Sequence, residues 1–286
     1  MQAADLSAVL SENTTIHSRY LHRNVKIDFY IPKNIVDRTQ LTLLLINDGQ
    51  NMNELGLRKI LDNLYFQNQI TPILCAAIHA GQERKIEYGT AIRADYLGRG
   101  SKAGLYTKFV REELVPFIQR KFHHLIFTEK AFAGFSLGGL MALDIVWNCP
   151  DEFNKVGIFS GSLWWRSLDH TDDKYEDEFH RIMHQQIKRG QYHPGLRFFL
   201  TTGSLDETHD RNENGVIDSI DDTLALIEDL ESLGYKNGKD IYYKNYEDGR
   251  HDIATWARAM PEFLKWGWSK GSSSEGKDVR GSMLDA

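Results

Sequence analysis

The stretch Ala131-Phe132-Ala133-Gly134-Phe135-Ser136-Leu137-Gly138-Gly139-Leu140 constrains the fold more than any other part of the chain. The apolar run from Lys130 to Ala133 reads as a buried strand, and a helical pattern runs from Leu137 to about Trp147. Between them Gly134-Phe135-Ser136-Leu137-Gly138 matches G-x-S-x-G, the sharp strand-to-helix turn that exposes a serine oxygen. The glycines answer a steric demand, since the backbone on either side of such a turn must approach closely. The turn also sets the serine at a helix N-terminus, where free N–H groups favour developing negative charge.

Around this turn, strand-like and helix-like segments alternate. Val25 to Ile31 alternates apolar and polar residues and ends at Pro32, as an edge or antiparallel strand does. Residues 1 to 24 read as a polar lead-in with a short strand. Leu41–Ile46, Ile73–Ile78, Val156–Phe159, Arg197–Thr201 and Asp240–Asn245 are further strand candidates. Helical patterns lie at Leu57–Gln67, Tyr106–Ile118, Ser219–Leu233 and Ile253–Trp266, with a charged helical excursion at Asp173–Arg189. This order predicts an α/β fold, a mostly parallel sheet with helices on both faces. Residues 1–268 are expected to form one domain, followed by a Gly/Ser-rich tail at 269–286. The segment Ala80–Gly104 is long, polar and glycine-punctuated, and loops of that length tend to carry function.

A serine at such a turn needs a base and an acid, which follow it in the order Ser, acid, His. The strand ending at Thr201 leads into Thr202-Gly203-Ser204-Leu205-Asp206-Glu207, so Asp206 is the expected acid, with Glu207 and Asp210 as alternatives. Glu247-Asp248-Gly249-Arg250-His251-Asp252 precedes the final helix, so His251 is the expected base. Of the eleven histidines only His251 has this placement. His79 reads as structural, His180 and His184 as a solvated helix face in preference to an i,i+4 metal pair, and His209 as a runner-up for a site role. An oxyanion would be met by the main-chain N–H of Leu137 and by a second donor after Ile46, with Gln50 as the candidate.

Asp210-Arg211-Asn212-Glu213-Asn214-Gly215-Val216-Ile217-Asp218-Ser219-Ile220-Asp221 fits the EF-hand loop scheme. Calcium takes hard oxygens from a tightly curled chain. Asp210, Asn212, Asn214, the Val216 carbonyl, Asp218 and Asp221 fall at the ligand positions, with Gly215 at the bend. The twelfth residue is Asp where Glu is usual; the alternative to calcium is an acidic turn that merely caps the helix from Ser219. If bound, calcium is expected to be structural, stiffening the loop that presents Asp206. No organic cofactor is expected.

The motifs together resemble the esterase D-like branch of the α/β-hydrolase superfamily, which includes enterochelin esterases, feruloyl esterases and S-formylglutathione hydrolases. The resemblance spans roughly residues 10 to 267. It rests on Ile46-Asn47-Asp48-Gly49-Gln50-Asn51, Arg84 with Glu87-Tyr88-Gly89, Tyr106 to Phe117 with Glu112-Glu113-Leu114, and Gly134 to Gly139. Ser160-Gly161-Ser162-Leu163-Trp164-Trp165 and His251-Asp252 with Trp256 complete it, the tryptophan pair being most similar to enterochelin esterase-like members. The resemblance implies an α/β-hydrolase fold and a serine ester hydrolase working through an acyl-enzyme. It places Arg84, Trp164 and Trp165 near the substrate pocket, against core packing for the tryptophans and a loop-stabilising ion pair for Arg84. Two other readings stand beside it: an acyltransferase on the same turn, and an inactive calcium-dependent binding module.

The net charge of −6 and the lack of a basic stripe with interleaved aromatics argue against nucleic acid as a partner. No apolar run is long enough to span a bilayer, and Met1 to Leu10 has no secretory apolar core, so a cytoplasmic protein is expected. Cys75 and Cys149 read as reduced core residues, with one disulfide left open. The partner expected is a small-molecule ester.

Overall fold

The computed structural model describes residues 7–33, 35, 36 and 39–270. Eight strands form one sheet: β1 (Val9–Ser18), β2 (Arg23–Pro32), β3 (Gln40–Asn47), β4 (Ile73–Ile78), β5 (Ile126–Phe135), β6 (Lys155–Phe159), β7 (Arg197–Leu205) and β8 (Ile241–Arg250). Their spatial order is β1-β2-β4-β3-β5-β6-β7-β8. The β1/β2 and β2/β4 pairs are antiparallel, and the pairs from β4 through β3 to β8 are parallel. This is the expected α/β-hydrolase architecture. The lead-in differs, since β1 is a full ten-residue strand paired along β2. β2 is therefore covered and antiparallel, and β1 takes the edge.

Helices cover both faces. α1 (Met52–Leu55), α2 (Leu57–Phe66) and α10 (Ile253–Trp268) pack on one face through Leu57, Leu61, Met260, Phe263 and Leu264. On the other lie α4 (Ala103–Lys108), α5 (Val115–Lys121), α6 (Leu137–Asn148), α8 (Ile182–Lys188) and α9 (Asp218–Ser232), through residues such as Tyr106, Ile118, Leu140, Met183 and Leu230. Two short helices, α3 (Arg84–Glu87) and α7 (Asp177–His180), sit in the segments before α4 and α8. Phe109–Leu114 is wound as a π-helix between α4 and α5. From Leu137 to Trp147 every residue of α6 is buried, which explains its apolar character on all sides.

Cys75 and Cys149 are free and buried, as expected. His79 is structural, its Nε2 lying 2.6 Å from Asp28 Oδ2. His184 corrects the solvated-face expectation. It is 1% exposed, its Nε2 lies 2.9 Å from the Asp222 carbonyl, and burial pushes its pKa down to about 3. Ser269 and Lys270 pair with Ile70 and Gln69, and the rest of the expected tail lies outside the described residues. Among the described residues no helix is long and apolar enough to cross a membrane.

Candidate active site

The parallel register brings the chemistry-bearing residues to one sheet edge. Phe135 on β5 lies opposite Phe159 on β6, so Ser136 and Ser160 leave the sheet together. Leu205 on β7 lies opposite Arg250 on β8, so Asp206 and His251 leave it side by side. Carboxyl ends of parallel strands are where open α/β sheets hold their sites. Ser136, Asp206 and His251 line one pocket of about 240 Å³, with Ser160, Gly161, Ser162, Trp164, Glu207 and Ser219.

Ser136 has φ 54 and ψ −124, a region L-residues seldom occupy, and stands directly before the first residue of α6. The turn closes because Gly134 and Gly138 lack side chains. A Cβ on Gly134 would lie 2.1 Å from the Gly138 carbonyl oxygen, and one on Gly138 would lie 2.6 Å from Asp48 Oδ2. Asn47, at the end of β3, ties these parts together. Its Nδ2 donates to the Gly138 carbonyl at 2.8 Å, and its Oδ1 accepts from the Tyr106 hydroxyl at 2.6 Å. Ser136 Oγ lies 3.4 Å from Ser162 Oγ. As the first residue of α6, Leu137 has no carbonyl one turn back for its N–H, which suits it to an anion.

The acid and base are held differently. Asp206 Oδ2 accepts from the Gly203 N–H at 2.9 Å, while Oδ1 is buried without a hydrogen-bond partner among the described residues. Burial pushes this carboxyl's pKa up, and the hydrogen bonds of Gly203 and Ser160 pull it back. Ser160 is itself fixed by Trp256, whose Nε1 donates to it at 3.1 Å. The His251 ring stands edge-on to Trp256 at 5.3 Å. Although His251 is exposed at the rim, the protein packed around its ring pushes its pKa down; Asp206 opposes this and Arg84 adds to it. The shift favours the neutral imidazole, the form a general base requires. No hydrogen bond joins His251 to Ser136 or Asp206 among those recorded for the described residues, a looseness common in unliganded sites.

The remaining expected residues divide. Trp164 lines the pocket. Trp165 does not, and the substrate-contact expectation for it is corrected. It is 0% exposed and is the plug around which the long loop wraps: a Cβ on Gly89 or Gly100 would come within 2.7 or 2.8 Å of its ring. Arg84 makes the ion pair that was its alternative, binding Asp48 at 2.6 and 2.7 Å. The pair holds the loop after β3, and Arg84 still contributes its charge to His251. Gln50 lines a neighbouring groove of about 700 Å³ with Asp28 and His79, and its side chain bonds Asp48 and Ala80. Any part it plays for Ser136 falls to its main chain.

In the loop 210–221, Gly215 has φ +85 and gives the bend. Asp210 accepts from the N–H groups of Asn214 and Gly215, and Asp221 accepts from the amides of Asn212 and Asn214. Four of the expected ligands are therefore gathered. Asp218 is the exception and is corrected: it is 5% exposed and bound to Arg211, through the main-chain N–H at 2.9 Å and the guanidinium at 3.1 Å. Among the described residues no group of three or more His, Cys, Asp or Glu is placed to hold a metal ion. Arg211 also pairs with Asp177 and Asp222, and Arg181 with Asp222, so buried charges fasten this loop to α7 and α8. Nothing in the periodicity pointed to this network, because its members are scattered single charges.

Comparison with known proteins decides the family. The sequence profile described as "Putative esterase" matches residues 18–266. The chain belongs to this family. It is 32% identical over 66 residues to a siderophore triacetylfusarinine C esterase of Aspergillus fumigatus, a match covering 23% of each chain. Among solved structures, this member of the putative esterase family is similar to the enterobactin esterase of Shigella flexneri, with TM-score 0.66 and 20% identity over 92% of this chain and 60% of that one. The siderophore hydrolase EstB of Aspergillus nidulans gives TM-score 0.65 and 16% identity, over 92% of this chain and 96% of that one. At these identities the structural likeness establishes the fold, and the chain spans about 60% of the length of the Shigella enzyme.

Proposed function

We propose that the protein is a serine carboxylic-ester hydrolase acting through Ser136, His251 and Asp206. The observation that carries this reading is the strained Ser136 at the start of α6, sharing one pocket with a neutral-tending histidine and a half-satisfied buried carboxylate. His251 takes the Ser136 proton as Oγ attacks the ester carbonyl, then gives it to the departing alcohol. Water repeats the cycle on the acyl-enzyme. Asp206 fixes the His251 tautomer and stabilises the imidazolium through its unpartnered Oδ1. The Leu137 N–H and a main-chain N–H of the loop after β3, with Gln50 as candidate, meet the oxyanion. The siderophore and ferulic acid esterases among its structural relatives fit an ester substrate of small-molecule size.

The test is a panel of p-nitrophenyl esters with wild type and Ser136→Ala. Hydrolysis lost in the variant supports the reading. Folded wild type that turns over no ester, and whose Ser136 resists a fluorophosphonate, contradicts it and favours a binding module. Product carrying an added alcohol in place of water assigns the protein to the acyltransferases.

The 210–221 loop is proposed as a structural calcium site formed by Asp210, Asn212, Asn214, Asp221 and the Val216 carbonyl, with Asp218 left to Arg211. Bound calcium would supply charge compensation and stiffness, and no chemical step passes through it. Removal by EDTA should lower the melting temperature, and Asp210→Ala should reproduce the loss. An unchanged melting temperature in both refutes it.

A further inference from the structure

Trp164 and Glu207 form one side of the pocket at Ser136. The same two residues line a second pocket of about 320 Å³, with Tyr96, Arg99, Arg166, His170, His209 and Asp218. The two pockets are therefore neighbours across a shared wall, one holding the reacting groups and the other none of them.

Arg166 marks what the second pocket is built for. It is only 6% exposed, yet no carboxylate lies within ion-pair distance of it among the described residues. Its Nε donates to the Trp164 carbonyl at 2.8 Å, and its guanidinium covers the Tyr175 ring at 5.4 Å from the centroid. Arg166 lines the pocket, and among the described residues its terminal nitrogens have no hydrogen-bond partner. A buried cation without a counter-ion is costly, and a guanidinium presents a planar pair of donors matched to a carboxylate. The other buried arginines nearby are satisfied: Arg181 by Asp222, and Arg211 by Asp177, Asp218 and Asp222. Arg99 is paired with Asp95 and lies 4.9 Å from the Trp164 ring centroid. Of the acidic members of the lining, Asp218 is held by Arg211, and Glu207 has Oε2 3.5 Å from His209 while its Oε1 is buried without a hydrogen-bond partner among the described residues. Among the described residues Arg166 is the lining arginine without an ion pair, feeling a carboxylate only at longer range through Asp222.

We propose that this second pocket is an anion subsite. It would hold a carboxylate or comparable acidic oxygen, borne by the part of the ester remote from the scissile bond, on Arg166. Trp164 would carry the flat or apolar link between that group and the reacting carbonyl. The inference rests on the ester-hydrolase reading and adds the charge of the substrate to it.

Two matched ester pairs test the subsite in each half of a substrate. For the alcohol half, 4-carboxyphenyl butyrate is compared with 4-(methoxycarbonyl)phenyl butyrate. For the acyl half, 4-nitrophenyl monoadipate is compared with 4-nitrophenyl methyl adipate. Wild type should favour the acid in one pair by about tenfold or more in kcat/KM, the scale of one charge-assisted contact. Arg166→Gln should bring that ratio near one through KM, and Arg166→Lys should keep part of it. A ratio near one in both pairs for wild type, or a ratio that survives Arg166→Gln, overturns the subsite. Should Arg166→Gln fail to fold, wild type decides: competitive inhibition by benzoate but not by benzamide supports the subsite, and equal inhibition overturns it. Should no ester be hydrolysed, the hydrolase reading fails by itself. Calorimetric titration with benzoate then judges the subsite, binding supporting it and no binding refuting it.

Discussion

The two sides of the Ser136 pocket are built on different physics. On the nucleophile side, backbone packs on backbone: Gly134 against Gly138, Asn47 across to the Gly138 carbonyl, and Arg84 locking Asp48 beside them. On the acid–base side, Asp206 and His251 emerge from neighbouring strands, and Asp206 Oδ1 and Glu207 Oε1 are buried without hydrogen-bond partners among the described residues. The first side is complete before a substrate arrives. The second keeps polar capacity in reserve, which an imidazolium formed during reaction can use. Side-chain substitutions should therefore act on chemistry at the acid–base side, and on geometry at the nucleophile side.

The largest effect expected is from Ser136→Ala or His251→Ala. Residues of a triad act as a unit, so either alone should cut kcat by up to ~10⁶-fold without loss of fold, read by ester hydrolysis and circular dichroism. Asp206→Asn comes next, at about 10⁴-fold in kcat. A Glu207→Gln variant that loses as much would move the acid to Glu207 and break the comparison. On the nucleophile side, Gly138→Ala must displace an Asp48 carboxylate that Arg84 holds in place. A misplacement on the order of 1 Å costs about 10²-fold in rate, so kcat should fall by that amount while KM changes little.

The smallest effect is on pH dependence. His251 must be neutral to act, and its folded pKa lies below the ordinary value of ~6.5. Activity should therefore persist below that pH and be lost as pH falls through the lowered value. Arg84→Met removes a positive neighbour, so the His251 pKa rises and the acid limb of kcat/KM moves to higher pH. The same change strips the partner from buried Asp48, at a cost on the order of 3 kcal/mol seen in thermal melts. An acid limb that stays put would show that the two sides are electrostatically independent.

How far the sequence carried follows the same division. The turn at Ser136 was legible because its constraint is local: glycines at fixed spacing between a strand and a helix. The sheet was legible because strands covered on both faces read as continuous apolar runs, as Ile73–Ile78 does. β1 was obscured by its alternation of exposed and half-buried residues at the sheet edge. The tryptophan pair shows the limit most clearly. Trp164 and Trp165 are adjacent and chemically alike, yet one faces two pockets and the other fills the core against Gly89 and Gly100. Which is which depends on a loop 65 to 76 residues earlier in the sequence. Arg166 was missed for a related reason: a lone arginine becomes informative only when its burial and its lack of an ion pair among the described residues are known.

The central claim is that Ser136 is the nucleophile and His251 its base. Ser162, with its hydroxyl 3.4 Å from that of Ser136, is the natural rival. Treating the native protein with a fluorophosphonate and mapping the adduct by peptide mass spectrometry separates them. One adduct per chain on Ser136, absent in His251→Ala, is the result this account predicts. An adduct on Ser162, or an unmodified Ser136 in folded protein, would contradict it.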